Sequence, residues 1–202
     1  ALKPIYDAVG IERINVATYQ SVSGAGREAV EELAEQSIAL MSGRAAPAAR
    51  VVPKRIAFNC VPQIDRFEDN GYTREEMKIV WETRKILEDP NIRVSATAVR
   101  VPVFYGHSEA VSIETATKIT VAEVRALLKR APGVEVLDER RAGGYPTAAT
   151  EAANRDTVYV GRIREDLTAE RGLNLWVVAD NVRKGAATNS VQIAEALAAR
   201  TN

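Results

Sequence analysis

Within 202 residues there is one histidine, His107, and one cysteine, Cys60. A thiol and an imidazole can form a nucleophilic pair, but a catalytic thiol needs a cation or a helix N-terminus to lower its pKa. The run Ala57-Phe58-Asn59-Cys60-Val61-Pro62 supplies neither, so Cys60 reads as a small apolar packing residue. His107 has better company. Arg100 lies upstream within Val99-Arg100-Val101-Pro102-Val103. A guanidinium among valines needs a carboxylate or phosphate partner, because burying it unpaired is costly. On an unbroken strand the odd spacing would send the two side chains to opposite faces. Pro102 and Gly106 argue for a bend that brings them together. An arginine clamp beside an imidazole can hold an anion against an acid/base group.

Glu75 and Lys78 stand at i and i+3, hence on one helix face. They form either a solvated ion pair or an acceptor for an amino group beside a point charge for phosphate. Gly24-Ala25-Gly26-Arg27-Glu28-Ala29 fits the glycine pattern of a dinucleotide turn. That fold also needs an acid about 20 positions further on, and Ala45-Ala46-Pro47-Ala48 offers none. The stretch reads as a tight turn into a helix N-terminus, able to touch a cofactor held mainly elsewhere.

The elements that must place these groups follow from periodicity and caps. Alternation predicts a strand over 11–20, with Ile14, Val16 and Thr18 on one face. An amphipathic helix follows over 27–41, with Ala29, Leu33, Ile38 and Met41 among its apolar positions. Residues 42–53 read as a loop and 56–64 as an apolar strand end. Thr73-x-x-Glu76 and Thr120-x-x-Glu123 are capping boxes, opening helices to 87 and 129. Strands are predicted over 92–104, 107–115, 134–137, 157–163 and 173–178, and a last helix over 181–199. Mixed strands and helices without a strict βαβ rhythm predict an α+β fold, a mixed sheet with helices packed on one face.

Lys+Arg and Asp+Glu are 27 each, which argues against a nucleic-acid or membrane surface as the main partner. One histidine and one cysteine give no zinc spacing and no internal disulfide. The composition reads as cytoplasmic and metal-free. Leu2, Ile5 and Val9 already keep helical spacing with no capping residue ahead of them, so the chain reads as a fragment.

Several stretches together resemble the C-terminal half of bacterial aspartate-β-semialdehyde dehydrogenases: Ala17-Thr18-Tyr19-Gln20-Ser21-Val22-Ser23-Gly24-Ala25-Gly26, Pro62-Gln63-Ile64-Asp65, Glu75-Glu76-Met77-Lys78, Arg100-Val101-Pro102-Val103, Gly106-His107-Ser108-Glu109 and Asp180-Asn181-Val182-Arg183-Lys184-Gly185-Ala186-Ala187. The resemblance implies a glyceraldehyde-3-phosphate-dehydrogenase-like catalytic and dimerisation domain over 1–202, with an N-terminal NADP-binding Rossmann domain outside this chain. It implies the NADP-dependent reductive dephosphorylation of L-aspartyl 4-phosphate to L-aspartate 4-semialdehyde and phosphate, on the route to lysine, threonine and methionine, in a homodimer. By the same resemblance His107 is the acid/base, Arg100 the clamp on the substrate α-carboxylate and Glu75 the acceptor for its amino group. Lys78 is the phosphate ligand and Gln20 orients the acyl group. Ser23, Gly24 and Asn181 lie near the nicotinamide end of NADP. The family's nucleophilic cysteine stands in Asn-Cys-Ser/Thr-Thr, ahead of the strand ending at Gln20. Asn59-Cys60-Val61-Pro62 has the wrong continuation and the wrong place, so the nucleophile is expected outside this chain. The alternative is a non-catalytic homologue, a dimerisation or assembly module.

Overall fold

The computed structural model describes residues 1–201, without the side chain of the last of them. The first helix, α1 (Lys3–Val9), ends at Gly10, whose φ of 69° lets its N–H reach back to the Tyr6 carbonyl. There follow β1 (Ile11–Gln20), a 3-10 turn (Val22–Ala25), α2 (Arg27–Met41), α3 (Arg74–Leu87), β2 (Arg93–Arg100), β3 (His107–Thr115), α4 (Val121–Arg130), β4 (Val134–Val136), β5 (Val158–Glu165), β6 (Gly172–Ala179) and α5 (Thr188–Thr201). Both capping boxes form, with Thr73 and Thr120 each accepting from the N–H three residues on.

The strands make a six-stranded sheet in the order β2-β1-β3-β6-β5-β4. It is mixed: β1 runs parallel to β2 and antiparallel to β3, and β6 runs antiparallel to β3. Ile14 pairs with Ile113 and Val16 with Val111, which in turn pairs with Leu175. These side chains share one face and bury against Ile5 of α1, Leu87 of α3 and Val124 and Leu128 of α4. A fully buried Leu or Ile of this kind contributes about 2–3 kcal/mol by leaving water. The opposite face is more open. Near one end the turn Ala148–Ala152 packs on Tyr159 and Val178, and Tyr19 lies tilted on Trp176 with ring centroids 5.6 Å apart. Among the described residues no helix is long and apolar enough to cross a membrane.

Three expectations need correction. Residues 56–64 contain no strand; only Val61 bridges to Arg100. The N–H groups of Ile56 and Ala57 donate to Gln36 Oε1 at 3.0 and 3.2 Å instead of to a ladder, and Phe58 takes φ 56°. Backbone donors satisfied by a side chain have no need of a strand partner. Ile38 and Met41 are exposed, because α2 buries the stripe Ala29, Glu32, Leu33 and Gln36. Cys60 is exposed as well, not packed.

Glu32 explains why a carboxylate lies inside that stripe. It is 1% exposed and accepts from the N–H groups of Arg50, Val51 and Val52 and from Gln36 Nε2. It thereby stitches residues 50–52 to α2. Glu32→Ala leaves several buried donors unpaired, each costing about 1–3 kcal/mol. The expected loss is about 3 kcal/mol, read as a lower urea midpoint with unchanged slope; a midpoint shift worth under about 1 kcal/mol would count against this role.

Candidate active site

The sheet topology brings one end of several strands together. β1 and β2 finish side by side at Gln20 and Arg100, which pair in register. The antiparallel β3 begins there at His107, opposite Ala179 at the finish of β6. Gln20 and His107 extend the helix-covered face, since they continue the alternation of Thr18 and Glu109. Arg100 and His107 thus stand on separate strands, and the intervening 101–106 segment supplies the bend. Gly106 makes that bend possible: its φ is 86°, and a Cβ there would meet Ala148 backbone at 3.0 Å.

The first turn of α3 forms the second wall. Glu75 Oε1 accepts from Gln20 Nε2 at 3.0 Å, and Glu75 Oε2 accepts from Lys78 Nζ at 3.0 Å. Glu76, one residue on, points inward. Its Oε2 accepts from the Thr73 N–H at 2.7 Å and its Oε1 from the Ala98 N–H of β2 at 3.0 Å. Helix and sheet are therefore tied together beside the site.

Arg100 is only 6% exposed, and its Nη1 donates to the Ser21 carbonyl at 2.7 Å. Among the described residues no carboxylate closes an ion pair with it. Burial lowers its pKa, with Glu75 opposing. Burial also pushes Glu75 upward, but hydrogen bonds from Gln20 and Lys78, with the charges of Lys78 and Arg100, outweigh it and leave Glu75 below its ordinary value. Its partner Lys78 is raised by that bond. His107 is lowered to about 4, first by burial and then by the positive charge of Arg100. The imidazole is therefore neutral at pH 7.

Gly24 lies over both groups. A Cβ on it would stand 3.0 Å from Arg100 Nη1 and 3.3 Å from His107 Nε2 and Cε1. The absence of a side chain at Gly24 is what lets the main chain pack this closely on the guanidinium and imidazole. Ser23 and Asn181 sit beside it but bond inward. Asn181 Nδ2 donates to Ser23 Oγ at 3.0 Å, and Asn181 Oδ1 accepts from the Gly106 N–H at 2.9 Å.

All eight residues singled out in the sequence (Gln20, Ser23, Gly24, Glu75, Lys78, Arg100, His107 and Asn181) thus fall within one connected region. Sequence reasoning missed Ser21, which touches both Arg100 and His107, and Asp180. The Asp180 carboxylate accepts from the N–H groups of Asn154, Val182 and Arg183 and so fixes the turn carrying Asn181. An aspartate just ahead of a predicted helix is a capping signal that could have marked it. For Ser21 no local signal exists.

Residues 2–184 match the family model described as semialdehyde dehydrogenase, dimerisation domain. The chain belongs to that family. This dimerisation domain is 64% identical over 197 residues to an aspartate-semialdehyde dehydrogenase of Legionella pneumophila, covering 98% of the chain and 56% of the relative. It is 57% identical to aspartate semialdehyde dehydrogenase II of Vibrio cholerae, solved in complex with ASA, with a TM-score of 0.94 over 98% of the chain and 57% of that structure. The aspartate semialdehyde dehydrogenase of Candida albicans, solved with NADP, is 27% identical with a TM-score of 0.71, covering 99% and 54%. The fold is that of the glyceraldehyde-3-phosphate-dehydrogenase-like domain of these enzymes. The dimerisation domain spans a little over half the length of the relatives it matches.

Proposed function

We propose that this chain is the substrate-holding and dimerisation part, over 1–202, of an NADP-dependent aspartate-semialdehyde dehydrogenase, acting in the cytoplasm on the route to lysine, threonine and methionine. The observation that carries the reading is Arg100, a buried guanidinium with no ion-pair partner among the described residues, facing a neutral imidazole and a Glu75–Lys78 pair. A cation in that state is complementary to a carboxylate ligand.

In this reading Arg100 grips the substrate α-carboxylate and Glu75 accepts from its amino group. Lys78 meets the phosphate and Gln20 orients the acyl group. His107 serves as the acid/base beside a nucleophilic cysteine in an N-terminal Rossmann domain of the full-length protein. Gly24, with Ser23 and Asn181, faces the nicotinamide end of NADP, which supplies or receives the hydride when bound. The open sheet face around Tyr19 and Trp176 meets a second copy across a two-fold axis.

The test is the full-length protein containing this chain. It is expected to reduce NADP when given aspartate semialdehyde and phosphate, and to stop when phosphate is withheld. A folded full-length protein without that phosphate-dependent signal would favour the assembly-module reading.

A further inference from the structure

Gln20 closes β1 between Arg100 and His107. It pairs in register with Arg100 on β2, and it continues the Thr18–Glu109 alternation toward His107 on β3. The residue is only 8% exposed, and its amide is held at both ends. Thr18 Oγ1 donates to Gln20 Oε1 at 3.4 Å, and Gln20 Nε2 donates to Glu75 Oε1 at 3.0 Å. An ionised carboxylate only accepts, so the NH2 group must be the end that faces α3. That bond uses one of the two N–H groups on Nε2, and the second has no acceptor among the described residues. Glu75 keeps capacity as well. A carboxylate offers about four lone-pair sites, of which Gln20 and Lys78 occupy one on each oxygen.

We propose that Glu75 is a positioning residue for Gln20, holding one amide N–H so that the other is left for the acyl oxygen of the substrate. The proposal rests on the functional reading above and adds a second task to Glu75, which there only receives the substrate amino group. The amino-group site and the acyl site then share one side chain. An amide free to rotate offers either an N–H or a carbonyl to the acyl oxygen, and only the N–H stabilises negative charge developing there. Glu75 fixes that choice before any ligand arrives, from a helix whose first turn is tied to β2 through Glu76. Loss of Glu75 therefore reaches the chemical step as well as the binding of the amino group.

The test is a double-mutant cycle in kcat of the full-length protein, with each variant checked for folding by circular dichroism. Gln20→Leu is expected to lower kcat about a hundredfold, as for one donor lost from a developing oxyanion. Glu75→Leu is expected to lower it about tenfold, whereas a side chain serving only the amino group would raise KM and leave kcat alone. In the Gln20→Leu background, Glu75→Leu is expected to change kcat by less than about twofold, because its effect runs through the amide. Single effects that multiply, or a Glu75→Leu kcat equal to wild type, overturn the proposal. The contact is also read without turnover. With ¹⁵N-glutamine labelling, the Gln20 side chain gives the NH2 signal that is lost in Gln20→Leu. Its two proton shifts are expected to lie far apart in the wild type, one N–H being bonded to a carboxylate, and to draw together in Glu75→Leu. A spacing that is the same in both sinks the proposal whatever the activity. The expected change in a protein without phosphate-dependent turnover keeps the anchoring of Gln20 and sinks only the functional reading.

Discussion

Arg100→Leu is expected to lower kcat/KM of the full-length protein about a thousandfold, the loss typical of removing a fixed bidentate anchor. A guanidinium 6% exposed has given up most of its water, and among the described residues its fold supplies one carbonyl and no carboxylate. On the proposed function this group meets the ligand carboxylate, and a leucine, shorter but of comparable bulk, removes the charge without opening a large void. Arg100→Lys keeps the charge but loses the planar fork, so it is expected to recover about tenfold over leucine. Activity of Arg100→Leu within threefold of wild type, in a folded protein, would show that the substrate anion is held elsewhere.

His107→Gln should lower kcat by about 10²–10⁴, the range for an acid/base group, with little change in KM. It also makes a stability prediction whose sign follows from the pKa. Folding lowers His107 from 6.5 to about 4, so between those values the unfolded chain binds more protons than the native one. Stability contributed by the neutral imidazole is complete above pH 6.5 and is lost as pH falls toward 4. The difference is at most about 3 kcal/mol. Thermal melts of wild type and His107→Gln from pH 7 to 4 isolate it, since the carboxylates are common to both. The wild-type curve is expected to fall more steeply; parallel curves would show an imidazole that protonates freely in the native state.

Local signals carried much of this molecule. The Thr73 and Thr120 boxes marked the starts of α3 and α4, and alternation from Ile11 to Gln20 marked all of β1. Glu75 and Lys78 were legible as a pair because helical spacing is a local rule. What the sequence hid was long-range bonding between side chains and backbone. Gln36 reaches 20 residues on to hold Ile56, which is why an apolar run expected as strand is not one. Glu76 reaches Ala98, and Ser21 reaches His107 across 86 positions. No periodicity encodes such contacts. The strand order hid for the same reason, since pairing β1 with β2 across α2 and α3 is decided by the whole core. Pro102 and Gly106 signal the bend that lets Arg100 and His107 meet, while their placement on separate strands of the sheet is decided by pairing that no local signal encodes.

The double bond made by Glu76 has a consequence for selectivity. One oxygen holds the start of α3 and the other holds Ala98, two positions before Arg100 on the same strand. Both jaws of the cleft, the guanidinium on one side and Glu75 with Lys78 on the other, are thus referenced to β2 and cannot slide independently. On the proposed function, this shared reference makes the separation of the two walls a property of the fold, so an acyl substrate one methylene longer is expected to react with a lower kcat/KM.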